Sequence, residues 1–488
     1  MTLSIALANA LTGLRANTAQ TELISNNVSN ALTPGYTRRD LAISPVSLGG
    51  QGSGVRIDGV TRLSNAALTE STRLAEAAAG QRATIAEAMR RLSEVAGEPG
   101  DGVGLASAAD AFDSALSAAA DTPESGQLLN VAVNAASGYS AAINRIAAEA
   151  MALRTETDTT ISKQVAKIND TLTKIQSLNA EIKARTVVGA DSSTLEDQRD
   201  QLINDISQMI PVKVVRREFN EVAIFSTNGQ QLLDGKVFEL GFTPTPLVTP
   251  DKTLANGALS GLTVNGNPVT IGTGDGRGFM DGGALASLFE LRDKSIPEVT
   301  AALDQLASDL VTRTQGLAAD PTLAPGDAGL FTDDGAASAP ANILGLSLRI
   351  AVNPSVDPSQ GGEVFRLRDG LAAAVEGDVG VSGLLRGLQD ALAAGVTAPS
   401  GTFLSGRRSA AGFAADFAST LLSRTSAEES QAAYLRGQAD EFGDAELERT
   451  GVDTDQELAR LLVVEQAFSA NARVVQVIDD LLETLTSL

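Results

Sequence analysis

The side chains in this sequence that could do chemistry are mainly carboxylates and basic groups, because cysteine, histidine and tryptophan are absent. Without thiolates or imidazoles, the usual zinc and haem sites and a Ser-His-Asp triad cannot be built. Two acidic loops, Asp275–Asp281 and Asp327–Asp334, could hold calcium, but they lack the ligand spacing and the closing glutamate of an EF-hand. We interpret them as solvated turns and predict no metal site and no cofactor.

A third charged cluster, Asp197, Arg199 and Asp200, has the residue types of an active site. No neighbouring nucleophile accompanies it, so we interpret it as ion pairs on a helix surface that fix helix packing. A carboxylate-dependent hydrolase would need a paired acidic cleft, which no spacing in the chain supports. The sequence therefore predicts no catalytic residues and no enzymatic activity.

Length and charge narrow the class of function further. The chain has 488 residues, and its 37 Lys and Arg against 60 Asp and Glu give a formal charge of −23. Such an acidic chain is repelled by phosphate backbones and anionic lipid, so we expect neither nucleic acid nor a membrane as a partner. No apolar run approaches the roughly 20 residues of a membrane span. Met1–Leu11 has no Lys or Arg before it, which argues against a cleaved signal peptide.

The elements that must position these groups are clearest at the two ends of the chain. Residues 1–31 and 461–488 each repeat apolar or small residues at alternating steps of three and four, which is typical of helices that pack lengthwise. One asparagine interrupts each stripe and could fix its register. The predicted assembly seam comprises Leu3, Leu7, Leu14, Asn17, Ile24, Val28, Leu461, Val464, Phe468, Asn471, Val475, Ile478, Leu482 and Leu485.

A helix with such a narrow apolar stripe cannot bury that stripe by itself. We therefore expect the two ends to be mobile in the monomer and to become ordered on assembly. Repeated head-to-tail contacts of this kind generate rings or helical layers.

Between the ends, the pattern predicts a mainly α fold with an inserted β domain (α+β). Helical periods cover residues 64–96, 105–120, 127–151, 158–185, 193–209, 284–316, 364–394, 406–443 and 454–487, and residues 41–63 resemble a hairpin. Residues 212–283 alternate instead, around the turn pairs Asn228-Gly229 and Asp234-Gly235. Residues 317–362 are irregular, with one strand at Leu346–Val352. We predict a terminal coiled-coil assembly domain (1–60 with 450–488), a helical body domain (61–211 with 284–449) and a β-rich outer domain (212–283).

Three stretches resemble the axial proteins of the bacterial flagellum. Ser25–Tyr36 (SNNVSNALTPGY) resembles the amino-terminal signature of rod, hook and hook-associated subunits, and Gln466–Gln476 (QAFSANARVVQ) resembles their carboxy-terminal signature. Leu195–Leu202 (LEDQRDQL) is similar to the hook-associated protein 1 family, the first hook–filament junction proteins. The family-motif residues are Asn26, Asn27, Asn30, Thr33, Pro34, Gly35, Tyr36, Asp197, Gln198, Arg199 and Asp200. On residue chemistry alone, the three asparagines could be helix C-caps or subunit contacts.

The resemblance implies a secreted, extracellular structural protein of the flagellum. Its terminal helices would pair as an elongated helical bundle and self-associate in a ring or helical layer between hook and filament. The resemblance also implies type III export, an export chaperone at the C-terminal helix, and contacts with the hook protein and the second junction protein, hook-associated protein 3. The alternatives are a hook or rod subunit, which lacks the long helical block at 64–210, and a type III secreted coiled-coil protein.

Overall fold

The computed structural model of the chain describes residues 2–48, 51–98, 100, 102–272, 278–316, 319–339, 342–398 and 403–486. Helices form most of it, and the π-helical turn Leu291–Ser295 joins two of them. The α-helices are α1 (Thr2–Ser29), α2 (Ala66–Ala96), α3 (Gly104–Asp121), α4 (Gly126–Val187), α5 (Ser193–Met209), α6 (Gly283–Glu290), α7 (Ile296–Thr314), α8 (Phe365–Asp369), α9 (Gly383–Ala393), α10 (Ala410–Thr450) and α11 (Thr454–Thr486).

The strands are short and pair antiparallel. They are β1 (Arg39–Leu48), β2 (Gln51–Arg62), β3 (Val212–Arg216), β4 (Val222–Ser226), β5 (Gln231–Asp234), β6 (Lys236–Val237), β7 (Leu240–Gly241), β8 (Thr263–Val264), β9 (Asn267–Pro268), β10 (Phe331–Asp333), β11 (Ile350–Val352), β12 (Val396–Thr397) and β13 (Arg407–Arg408). The sheets run β1-β2, β3-β4-β5-β6, β7-β8-β9, β10-β11 and β12-β13. The predicted fold class, mainly α with a small β-rich part, is confirmed.

Two apolar cores hold these elements together. The first lies among α2, α3, the first half of α4, α7, α9 and α10, where Leu92 and Ile143 are fully buried. The second joins the other half of α4 to α5, α6 and the sheet β3-β4-β5-β6, around Ile168, Ile206 and Ile224. The strands of residues 212–283 thus share a core with neighbouring helices. The three-domain division stays a prediction.

The predicted break in the helical pattern between 151 and 158 is wrong, because α4 runs for 62 residues without interruption. Polar residues interrupt its apolar stripe there, yet they are buried. Arg154 donates hydrogen bonds to the carbonyls of Thr249 and Lys252, at 3.2 and 2.8 Å. Asp158 pairs with Arg292 at 2.7 Å, with both side chains fully buried. These partners are distant in sequence, so helical periodicity could not register them.

Two other predicted helices are divided in the structure. The helix predicted over 284–316 contains the π-helical turn, and this turn carries the buried Arg292. The helix predicted over 364–394 is divided into α8 and α9, because Gly370 adopts a φ of 110° and ends α8. The strand predicted over Leu346–Val352 begins only at Ile350, after a 3₁₀ turn.

Candidate functional site

The two ends of the chain lie antiparallel against each other, with the β1–β2 hairpin packed beside α1. Asn27, near the end of α1, contacts Glu457, near the start of α11. About halfway along the two helices, Gly13 of α1 faces Asn471 of α11. We call α1, the hairpin and α11 the terminal module.

The predicted seam residues are buried to different degrees. Ile24 and Ile478 are buried, while Phe468 and Leu482 remain 43% and 41% exposed. The side chain of Leu485 lies outside the described residues. The half-buried seam residues are Leu3, Leu7, Leu14, Asn17, Val28, Leu461, Val464, Asn471 and Val475.

Helix α1 covers one side of α11 and leaves a large apolar surface open. The exposed apolar residues of α11 are Leu458, Leu462, Val463, Phe468, Val474, Val477, Leu481 and Leu482.

Contrary to the expectation from sequence, one window within Ala410–Thr484 is long and apolar enough to cross a membrane by length and composition, and 6% of it is buried. Length and composition alone are weak grounds for a membrane span, since helices of soluble proteins also meet them.

A glycine in the middle of α1 allows the close approach of α11. A Cβ atom on Gly13 would lie 2.8 Å from Nδ2 of Asn471, which is closer than a carbon can pack. The two side chains one turn to either side, Asn9 and Asn17, each leave one buried polar atom without a hydrogen-bond partner in the described chain. Asn9, Asn17 and Asn471 therefore surround a notch in the surface of α1, formed where Gly13 has no side chain.

The motif residue Asn27 is the central contact of the terminal module. The whole residue is only 1% exposed. Its Oδ1 accepts hydrogen bonds from the Tyr36 hydroxyl at 2.9 Å and the Arg39 amide at 3.2 Å. Its Nδ2 donates to the Arg39 carbonyl at 2.9 Å and to Oε2 of Glu457 at 3.0 Å. Both donors and both acceptor positions of the amide are thus used, and they join α1, β1 and α11.

Helix α11 is also fastened directly to the hairpin. Glu457 is fully buried and accepts from Arg460, whose Nη1 lies 2.8 Å from Oδ1 of Asp40 in β1. Asp453 caps α11 by accepting from the amides of Asp455 and Gln456, at 2.9 and 3.1 Å. The start of α11 is therefore held by both a cap and ion pairs.

Two arginines at the open end of the hairpin link the terminal module to the rest of the molecule. Arg39 and Arg62 are cross-strand partners, an arrangement of like charges that is destabilising by itself. Asp197 of α5 pairs with both, at 2.9 Å to Nη2 of Arg39 and 2.7 Å to Nη2 of Arg62. Arg62 also contacts Asp200 at 2.8 Å and Glu196 at 3.3 Å.

Burial of these charges makes their pairing tight. The side chains of Arg62 and Asp197 are 9% and 10% exposed. Burial lowers the pKa of the Arg62 guanidinium, but the charges of Asp200 and Asp197 outweigh it, so the net pKa is raised. The Arg39 guanidinium lies 4.8 Å from the centre of the Tyr36 ring. Burial raises the pKa of the Tyr36 hydroxyl, which therefore stays a hydrogen-bond donor to Asn27.

The remaining amino-terminal motif residues form the turn that follows α1. The Asn30 side chain donates to the Asn26 carbonyl at 2.9 Å and accepts from the Thr33 hydroxyl at 3.3 Å, so it caps the helix end. Asn26 is exposed. The Pro34 carbonyl accepts from the Gln201 side chain of α5. Gly35 adopts a φ of 74°, and a Cβ there would collide with Gln201.

Within the second motif, Arg199 has a different role from its neighbours. It is buried and donates to Oδ1 of Asn179 at 3.2 Å and to the Asn220 carbonyl at 2.6 Å. It thus holds α5 to α4 and to the turn before β4. Burial lowers the pKa of its guanidinium. Gln198 is exposed.

Asp197, Arg199 and Asp200 were predicted to form ion pairs on a helix surface. Asp197 and Asp200 do form ion pairs, with the unpredicted partners Arg39 and Arg62. For Arg199 the prediction is wrong, because within the described residues its guanidinium donates to neutral acceptors instead. Arg62 lies within the hairpin predicted over 41–63, but Arg39 lies before it, so their cross-strand pairing, which calls for an anion, could not be read from that prediction. Glu457 gave no signal, because an acid in the first turn of a helix is ordinary. Among the described residues, no group of three or more carboxylates is arranged to hold a metal ion.

Comparison with known proteins places similarity over most of the chain. The sequence model described as the helical domain of the flagellar hook-associated protein FlgK matches residues 35–329. The one described as the carboxy-terminal part of the flagellar basal body rod proteins FlgEFG matches residues 445–488. The first match covers the long helical block at 64–210.

Individual relatives agree with these matches. The flagellar hook-associated protein 1 of Bacillus subtilis is 24% identical over 98% of this chain and 96% of its own length. That of Escherichia coli is 28% identical over 48% of this chain and 44% of its own length. Among solved structures, the flagellar hook junction protein FlgK from Burkholderia pseudomallei aligns over 54% of this chain and 46% of its own, with 20% identity and a TM-score of 0.42.

Replacing Asn27 should loosen the terminal module. In Asn27→Ala, the buried Glu457 carboxylate and the Tyr36 hydroxyl lose their partner, which should cost about 3 kcal/mol in the free energy of local opening. Hydrogen exchange of the α1 and α11 amides measures this opening. Asn26→Ala, one residue away on the exposed side, is the control and should change it little. Equal exchange in both variants would contradict the central role of Asn27.

Replacing Asp197 should separate the hairpin from α5. Asp197→Asn keeps the shape of the side chain but leaves Arg39 and Arg62 facing each other with less negative charge. The loss of one partner of a buried ion pair should cost about 3 kcal/mol, visible as faster hydrogen exchange in β1 and β2. The exposed neighbour gives the control Gln198→Ala, and unchanged exchange in Asp197→Asn would argue against this link.

Alanine at position 13 should act against the usual preference of helices. An alanine in place of a helical glycine normally adds up to about 1 kcal/mol of stability, and Gly437→Ala, where a Cβ meets open space, should show that gain. Gly13→Ala should instead weaken the α1–α11 contact, because the new methyl displaces Asn471. In the double variant Gly13→Ala/Asn471→Ala the displaced side chain is gone, so the gain in stability should return. A double-mutant cycle on the free energy of unfolding measures this coupling. A stabilising single Gly13→Ala variant would refute the notch.

Proposed function

Because the chain belongs to the family of the flagellar hook-associated protein FlgK, we propose that its terminal module is the surface through which copies assemble. The protein is a structural component of the bacterial flagellum at the hook–filament junction, exported and located outside the cell. As a hook-associated protein, it self-assembles and associates with other flagellar components.

The open apolar side of α11 is the single observation that carries the proposal. Leu462 and Val463 are 61% and 66% exposed, and Ile5 and Leu11 of α1 are 39% and 43% exposed. A helix pair that buries one seam and leaves a second apolar side open can pack against the same pair in a neighbouring copy. The open side of α11 and the exposed apolar residues of α1 are different surfaces. A contact between the two is therefore heterologous and repeats into a ring or helical layer.

The anchoring contacts give this layer a defined orientation relative to the body. Asn27 holds α1, β1 and α11 together, and Asp197 holds the hairpin to α5. The terminal module corresponds closely to the proposed assembly domain (1–60 with 450–488). We propose that movement of the module is transmitted to the helical body through these buried pairs.

The proposed partners follow from the same surfaces. The layer would contact the hook protein on one side and the second junction protein, hook-associated protein 3, on the other. Before assembly, an export chaperone would cover the apolar side of α11. We propose no catalytic step in this role, since the motif side chains Asn27 and Asp197 are already occupied by internal contacts.

Damage to the terminal helices should abolish assembly and leave the body folded. Chains lacking residues 1–31 or 461–488 should stay soluble with a folded middle by circular dichroism, yet should not be incorporated at the hook tip of cells that lack their own copy. Leu462→Glu should have the same effect without truncation, because a charge at an apolar contact is costly to bury.

The matched control is Glu465→Gln, a change on the same helix that adds no charge and should still allow assembly. Limited proteolysis of the free chain should remove both ends before the middle. Filament growth in cells that carry only a truncated chain or Leu462→Glu would refute the terminal-helix mechanism.

A further inference from the structure

A small cavity lies behind the junction of the terminal module with the body. It has a volume of about 170 Å³ and is bounded by the end of the hairpin, the first turns of α2, α5 and β3. Four arginines line it: Arg62, Arg73, Arg199 and Arg216. This clustering of cations is unexpected in a chain with a net charge of −23.

Three of these arginines have no carboxylate partner. Arg62 forms ion pairs with α5, whereas no carboxylate of the described residues lies within 4.0 Å of Arg73, Arg199 or Arg216. Arg73 donates to Oδ1 of Asn204 at 2.7 Å, and Arg216 to the Ser64 hydroxyl at 3.1 Å. Neutral acceptors of this kind satisfy hydrogen bonds but do not balance charge.

Two of the carboxylates that line the cavity are already paired with Arg62, which lines it too. Glu196 accepts from Arg62, from the Ser192 hydroxyl and from the Asn220 amide. Asp200 accepts from Arg62 at 2.8 Å. Glu70 lines the cavity too but is exposed to solvent.

Burial makes the unbalanced charge costly. Arg73 and Arg199 are 7% and 4% exposed, and Nε of Arg199 is buried without a hydrogen-bond partner among the described residues. Burial lowers the pKa of both guanidiniums, and nearby carboxylates, Asp200 foremost, offset this only in part. An anion in the cavity would offset this cost.

The local structure adds further positive electrostatic potential to the cavity. Ala66, the first residue of α2, lines the cavity, so the positive end of the helix dipole faces it, and the first turn of α2 has no acidic residue. In β3, Val212, Val214 and Arg216 alternate onto one face, and all three line the cavity.

We propose that this cavity binds a small oxyanion, either a carboxylate or an inorganic phosphate or sulfate ion, between Arg73, Arg199 and Arg216. Guanidiniums hold such groups through paired, charge-assisted hydrogen bonds. The volume equals that of about five or six liquid water molecules, which suits one oxyanion group with some water and excludes a helix or an extended peptide.

A bound oxyanion would stiffen the junction. It would join α2, α5 and β3 near the point where Arg62 connects α5 to the hairpin. The anion has two possible sources, a free ion and an acidic side chain of a neighbouring copy. The second source rests on the proposed assembly, whereas the first does not.

Binding can be measured on the full-length chain with inorganic phosphate. Phosphate should raise the thermal unfolding midpoint in a saturable way relative to chloride at equal ionic strength, and calorimetry should show one site. Arg216→Gln removes an exposed side chain whose one described contact is Ser64, so the variant should fold. It should raise the half-saturating phosphate concentration by about tenfold, the effect of one lost charge-assisted hydrogen bond.

The matched control is Arg217→Gln, the next residue of the chain, which points away from the cavity and pairs with Asp234 at 2.9 Å. It should bind phosphate as the unaltered chain does. Lack of a saturable effect in the unaltered chain would overturn the site, and so would equal weakening in both variants.

Self-association identifies the source of the anion. If a carboxylate from a neighbouring copy occupies the cavity, phosphate and Arg216→Gln should both weaken association in sedimentation experiments. If a free ion occupies it, phosphate should leave association unchanged or strengthen it. Both results support an oxyanion site, and phosphate binding to the single chain tests that site even if the proposed assembly surface is wrong.

Discussion

The buried amide of Asn27 is the contact on which the arrangement of both chain ends depends. Its two donors and two acceptors each have one partner, and those partners belong to α1, the turn after it, β1 and α11. A carboxylate at this position could not donate, and a shorter side chain could not span the four groups. The antiparallel alignment of α1 and α11 extends from this point, with Gly13 and Asn471 meeting further along. Since the apolar seam is narrow and partly exposed, the polar contacts supply the specificity that apolar packing lacks.

A second constraint turns the hairpin into a connector. Two arginines face each other across its open end, and α5 supplies the carboxylate that both require. Because the cluster is largely buried, added salt screens it less than it would a surface pair. The terminal module is thereby held to a body whose own stability comes from two large apolar cores. This division separates the terminal module, which we propose as the assembly surface, from a body that its own cores stabilise.

Much of this organisation follows from the pattern of residues. Heptad-like steps identified both terminal helices, turn pairs identified the strands of residues 212–283, and the motif around Asp197 indicated ion pairs, which Asp197 and Asp200 form. The failures within α4 and around Asp197 have one physical cause. Arg154 and Asp158 interrupt an apolar stripe, yet α4 continues, because partners from distant loops satisfy their charges. Similarly, the partners of Asp197 lie 158 and 135 residues away in the chain, beyond what local periodicity can report.

The sequence by itself determined most of the local choices: which segments are mainly helical, and that the two ends carry apolar stripes. These depend on short-range backbone preferences and on the spacing of side chains along one helix. The tertiary structure decided which charges meet. Only the folded chain brings Asn27 to Glu457 and Asp197 to both Arg39 and Arg62, and only there are Arg73, Arg199 and Arg216 left facing one cavity. Electrostatic partners are chosen by distance in space and by burial, and neither can be measured along a sequence.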